Sequence, residues 1–116
     1  MNIIFGHQLT EQLRDKYTVL ELDTFRIDGQ DVTSYCLVEN IGLMEIANIG
    51  QFSDLHANMI KNYKVRNWKF CEDAIEHLMG KWNGELDSFY LDIANRLGSY
   101  RQAEPDADWE PVILRS

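Results

Sequence analysis

The side chains of this chain that could do chemistry are few and scattered. His7, His56 and His77 are the histidines, and each could in principle act as a base or a metal ligand. His77 follows Cys71 by six residues, which places the two on different faces of a helix, whereas a helical metal site needs the i, i+4 spacing. Glu72, Asp73 and Glu76 cluster, yet they fall between the apolar positions of their stretch, as the charges of a solvated helix face do. The glycines from Gly29 to Gly98 are isolated, so no run of backbone amides can converge on one phosphate. The expectation is a chain with no catalytic site, metal site or cofactor of its own. Cys36 and Cys71 lie far apart within apolar patterns and read as two buried thiols, not as a disulfide framework.

The elements that would have to position such residues are themselves short. A length of 116 residues is one modest domain's worth. The formal charge of −8, from 11 Lys plus Arg against 19 Asp plus Glu, repels a phosphate-rich partner and argues against nucleic-acid binding. No run of apolar residues approaches a membrane span, and the start lacks the features of a signal peptide, so the expectation is a cytoplasmic chain with no membrane partner.

Ile3–Phe5 reads as a short strand, and Leu9, Leu13 and Tyr17, spaced by four, as one face of a short helix. Residues 18–27 and 32–39 are rich in β-branched and aromatic side chains, and Asp28-Gly29 between them supplies the positive φ angles of a tight hairpin turn. Residues 41–52, with Gly42 and Gly50, read as a linker. From Ser53, a natural cap, the period becomes helical. Leu55, Met59 and Tyr63 mark a first helix, Cys71, Ala74, Ile75 and Leu78 a second that Gly80 ends, and Leu86, Phe89, Tyr90, Ile93 and Leu97 a third, with Asp92 and Arg96 as an outward pair. In the tail, Pro105 and Pro111 bar further helix, and Trp109 is too large an apolar group to stay idle, so it should dock on the helices. The fold class is α+β, with a sheet-forming segment at 1–40, a linker at 41–52 and a helical segment with docked tail at 53–116.

Order and spacing in the first segment resemble the end of the catalytic domain of class III adenylate and guanylate cyclases. Ile3, Ile4 and Gly6 match the family's strand and small-residue junction, and Leu13, Arg14 and Asp15 its helix. Leu22, Asp23, Ile27 and Gly29 match its penultimate strand and turn, and Val32, Tyr35 and Leu37 its last strand. The second segment is similar to the tetratricopeptide-like helical tail that follows the catalytic domain in many bacterial cyclases. The matching residues are Tyr63, Asn67, Trp68 and Cys71, then Ile75 and Leu78, and finally Pro105, Asp108 and Trp109. A single such unit is fewer than the three or so repeats a solenoid needs and should close against the third helix and the hairpin region.

The resemblance implies a noncatalytic piece with a structural or regulatory role. In the family the metal-binding aspartates, the base-selecting pair and the transition-state asparagine and arginine all lie upstream of the matched segment. The family's turn often carries lysines able to reach a triphosphate, whereas here it reads Arg26-Ile27-Asp28-Gly29-Gln30. Two alternatives come from other classes. One is an independent interaction module whose groove, built from Tyr63, Trp68, Cys71, Trp82, Phe89, Tyr90 and Trp109, holds a protein or peptide partner. The other is an acidic mimic of nucleic acid, against which Lys61, Lys64, Lys69 and Lys81 count. A hairpin lacking its neighbours also predicts either a homodimer that pairs strands through Val32, Tyr35 and Leu37 or a helical tail folded over the exposed sheet face.

Overall fold

A computed structural model describes residues 2–6, 17–39, 43–82 and 84–115. The elements are β1 (Asn2–Phe5), β2 (Tyr17–Ile27), β3 (Gln30–Glu39), α1 (Leu43–Lys64), α2 (Trp68–Leu78), α3 (Asp87–Gln102) and β4 (Ile113–Arg115). The class is α+β, as the residue patterns predict. The chain divides into two units, a sheet unit of residues 1–54 with 111–116 and a helical unit of residues 55–110. Among the described residues no helix is long and apolar enough to cross a membrane.

The sheet has the order β1-β3-β2-β4, antiparallel except for the parallel β2–β4 pair. Its centre is the hairpin read from the sequence, with strands that run right up to the turn and pair Ile27 with Gln30. Asp28 (φ 52°) and Gly29 (φ 80°) both take the left-handed conformation, the two-residue turn whose twist suits a hairpin. The register shifts between Glu21 and Thr24, so two residues of β2 face one of β3. Ser34 repairs the gap there, its hydroxyl donating to the Asp23 carbonyl at 2.9 Å. Thr24 and Thr33 oppose each other just beyond the bulge, their hydroxyls 2.8 Å apart.

Two boundaries differ from the sequence reading. Of the linker expected over residues 41–52, residues 41 and 42 lie outside the described residues and the rest is helix, since α1 begins at Leu43 and runs unbroken through Gly50, and Ser53 is an internal residue whose hydroxyl donates to the Gly50 carbonyl at 3.1 Å. One glycine lowers helix propensity by only about 1 kcal/mol, too little to stop a 22-residue helix. The tail also does more than dock, because it returns to the sheet as β4 beside Phe25, Arg26 and Ile27. Of the short helix expected over Leu9, Leu13 and Tyr17, Leu9 and Leu13 lie outside the described residues, while Tyr17 opens β2.

The helical unit follows its apolar pattern closely. Met59, Tyr63, Cys71, Ala74, Ile75, Leu78, Leu86, Tyr90, Ile93 and Leu97 are all buried, and Leu55 and Phe89 are half-buried. α1 ends in a paired cap: the Asn67 N–H donates to the Asn62 carbonyl at 2.9 Å and the Arg66 N–H to the Tyr63 carbonyl at 3.2 Å. Arg66 sits at φ 66° in the position where glycine is usual. α2 ends at a true glycine turn, Gly80 (φ 78°), whose N–H donates to the Asp87 carboxylate at 2.8 Å at the start of α3.

Candidate functional site

The side chains first singled out for chemistry do not converge. Glu72 is engaged by Arg101 at 2.7 Å and Asp73 by Lys69 at 3.0 Å, the ordinary surface pairs of a solvated face. His77 is exposed, with its Nδ1 2.9 Å from the Asp73 carbonyl one turn back. His7 lies outside the described residues. Among the described residues no three His, Cys, Asp or Glu side chains are placed to hold an ion. Cys36 and Cys71 are buried thiols, not joined in a disulfide, and lie in separate units. The Cys71 thiol donates to the Met59 carbonyl at 3.4 Å, and burial, helped by the negative charge of Glu72, pushes its pKa up to about 11.

The aromatic residues read as one groove separate into two clusters. Trp82, from the α2–α3 connection, and Phe89 and Tyr90, from α3, gather around His56 of α1, which is only 1% exposed. The Trp82 Nε1–H donates to the Tyr90 hydroxyl at 2.9 Å, and that hydroxyl lies 3.0 Å from His56 Nδ1. The His56 ring stacks near Phe89 and meets Tyr90 edge-on. These residues hold three elements together through buried polar handles. Trp82, Phe89, Tyr90 and Cys71 are therefore core, because each is buried or half-buried within the helix packing.

The second cluster is where the tail docks. Tyr63 from α1, Trp68 at the start of α2, Tyr100 near the end of α3 and Trp109 from the tail lie with every pair of rings between 5.0 and 6.4 Å apart. Rings this close fill the space between them by edge-to-face contact. Burial and the bond to Tyr100 raise the pKa of the Tyr63 hydroxyl, and the neighbouring Arg96 opposes the rise.

Arg66 works beside these rings. Its guanidinium lies over the Trp109 ring, 5.2 Å from the centroid, and donates to the Pro105 carbonyl at 3.0 Å and to the Asp106 carbonyl. Glu104 completes the contact, 3.6 Å from Arg66 and accepting from Trp68 Nε1 at 3.2 Å. Sequence reasoning placed Tyr63, Trp68 and Trp109 together and missed Arg66, Tyr100 and Glu104. Tyr100 continues the spacing of Ile93 and Leu97 and could have been found; Arg66 could not, because its role follows from a helix end that the sequence does not mark.

The topology corrects the pairing interface expected on β3 at Tyr35 and Leu37, while β1, which pairs with Ser34 to Leu37, does not reach Val32. β3 is an inner strand, and Leu37 and Tyr35 are paired on one side with Asn2 and Ile4 and on the other with Val19 and Glu21, so neither offers backbone groups to a second copy. Val32 pairs with Phe25 of its own hairpin. At the turn, Arg26 is held by Asp31 through two bonds, Nε to Oδ1 at 2.8 Å and Nη2 to Oδ2 at 3.1 Å. No protein-family model, curated protein or solved structure matches the chain.

Proposed function

We propose that this chain is a noncatalytic, cytoplasmic segment of an adenylate or guanylate cyclase-like protein, closing a catalytic sheet with its hairpin and continuing into a helical tail with a structural or regulatory role. The resemblance of residues 3–37 to the end of the class III catalytic domain, and of residues 63–109 to the family's tail, is the starting point. One observation carries the noncatalytic part of the reading. Where the family's turn often presents lysines to a triphosphate, the cation of this hairpin, Arg26, is clasped bidentately by Asp31, and the turn itself is Asp28-Gly29. A guanidinium committed to a neighbouring carboxylate is a poor phosphate ligand, because the phosphate must displace an anion already in place.

Two measurements test the reading. The purified chain, supplied with ATP or GTP and magnesium or manganese, should form no cyclic nucleotide above blank; formation that Arg26→Ala abolishes would overturn the noncatalytic assignment. Reading the genomic DNA in frame upstream of Met1 should show codons for the family's metal-binding aspartates and transition-state asparagine and arginine. An in-frame stop codon immediately upstream would sink the segment reading.

A further inference from the structure

We infer that the surface formed by Tyr63, Arg66, Trp68 and Tyr100 is a receptor for an acidic, turn-forming protein segment bearing a tryptophan. Residues 104–109 of this chain are its resident occupant, and a segment of the same chemistry on a partner protein can displace them. The inference concerns the helical unit alone and stands whether or not the chain belongs to a cyclase.

The tail is held as a bound peptide is held. From Glu104 to Glu110 it has no helix or strand, and of these residues only Pro105 and Trp109 are even half-buried. Its attachment is made by groups that recognise a ligand. A guanidinium takes two successive carbonyls, an indole N–H takes a carboxylate, and three rings receive a fourth. Proline at 105 bars helix and has no N–H that would need a partner, and beyond it the Trp109 N–H closes a turn onto the Asp106 carbonyl at 3.0 Å.

Arg66 gives independent support. Its backbone occupies the left-handed position that closes α1, where glycine would be relaxed and a side chain is strained. An arginine there serves the turn poorly and the tail well, since its side chain supplies both carbonyl contacts, the ion pair with Glu104 and the cover over Trp109. Strain kept at a ligand clamp is a known use of such positions.

The seated tail also specifies the partner. It must offer a carboxylate that bridges Arg66 and Trp68 Nε1, two consecutive carbonyls leading into a turn, and an aromatic ring five residues after the carboxylate, as Glu104 and Trp109 do here. Joined to α3 through Ala103, the tail competes at high effective concentration, so a partner binds strongly only when the tail is released or outnumbered.

The test uses the full chain with Trp109→Ala and a synthetic peptide of residues 103–112, followed by calorimetric titration and thermal melting. One peptide should bind per chain and raise the Tm, at least about tenfold more tightly than it binds the unaltered chain, in which the tail competes. Adding Arg66→Gly, which keeps the turn, should weaken binding by about tenfold or more. A Trp109→Ala chain whose helical circular dichroism is intact but which ignores the peptide would overturn the inference, as would equal binding of a peptide with its tryptophan changed to alanine. Should Trp109→Ala fail to fold, the unaltered chain is titrated with excess peptide and the Trp109 indole resonance followed: movement to its solvent-exposed position supports displacement, and no movement at millimolar peptide refutes it. A concentration-dependent dimer of the unaltered chain that Trp109→Ala abolishes would assign the groove to the tail of a second copy and overturn the partner-protein version.

Discussion

The helical unit and the sheet unit dispose of their apolar surface in opposite ways. In the helical unit large side chains are locked to one another, through ring contacts, the Trp82–Tyr90–His56 chain and the Cys71 thiol on the Met59 carbonyl. In the sheet unit order comes from backbone pairing, and one face changes character along its length. The register puts Ile3, Phe5, Phe25, Ile27 and Val32 on the same face as Leu20 and Cys36. Leu20 and Cys36 are buried, whereas Ile3 is 57% and Phe5 66% exposed. Interlocking side chains specify a structure position by position; a strand ladder fixes register and leaves the covering of its faces to other parts.

The largest test of this contrast compares two aromatic truncations. Trp68→Ala should cost about 3 to 5 kcal/mol, because it removes a buried ring, the contacts of three others and the donor to Glu104. Phe5→Ala should cost less than about 1 kcal/mol, since Phe5 is mostly exposed and touches Phe25 at a ring separation of 6.3 Å. Urea denaturation measures both. Equal losses would show that aromatic packing matters alike in the two units and would remove the distinction.

The same contrast explains what could be read in the sequence. The stripes Cys71, Ala74, Ile75, Leu78 and Leu86, Tyr90, Ile93, Leu97 were legible because helical periodicity states which side chains face inward, and all eight are buried. The hairpin was legible because Asp28-Gly29 is a turn signal with a backbone cause. The start of α1 was not, because Gly50 and Ser53 carry strong local preferences that a long helix overrides at small cost. Nor was β4: three residues after a proline show too little alternation to mark a strand, and it is the edge of β2 that makes them one. The split of the aromatics into a core and a tail clamp depends on which helices face each other, and composition is silent on that.

A smaller effect is expected at the polar centre of the helical unit. Tyr90→Phe keeps the ring and removes the hydroxyl that receives Trp82 Nε1–H and contacts His56 Nδ1, which should cost roughly 1 to 3 kcal/mol. Thermal melting followed by tryptophan fluorescence reads this unit selectively, since Trp68, Trp82 and Trp109 all lie in it. A neutral substitution would mean that packing alone holds the three elements.

The two units should also fail at opposite ends of the pH scale. The Cys71 thiol is raised to about 11 in the folded chain, above the value of about 8.5 in an unfolded one. The folded state therefore holds its proton where the unfolded state releases it. This contribution is complete below the unfolded pKa and is lost as pH climbs from about 9 toward 11. The raised Tyr63 hydroxyl acts in the same direction at still higher pH. Urea midpoints from tryptophan fluorescence should fall across this window and fall less in Cys71→Ala; a flat profile would show that the thiol is not sheltered.

At the acid end the smallest effect belongs to the hairpin. The two hydrogen bonds from Arg26 hold the Asp31 carboxyl below its ordinary value, against an opposing push from desolvation and with a smaller pull from the arginine's charge. Here the folded pKa is depressed, so the stabilisation is present above the unfolded value and disappears as pH falls through the folded one, in the range below about 4. The pair is exposed and screened by salt, so its loss should leave the neutral-pH midpoint in place and shift only the acid limb of the stability curve. NMR titration of the Asp31 carboxyl is the direct measurement. Arg26→Ala should return its pKa to the ordinary aspartate range, and the difference between the two proteins should shrink in high salt. An Asp31 pKa unchanged by Arg26→Ala would mean that the guanidinium is not committed to Asp31 in solution. Arg26 would then be open to an anion such as a phosphate, and the observation that carries the noncatalytic reading would fall with it.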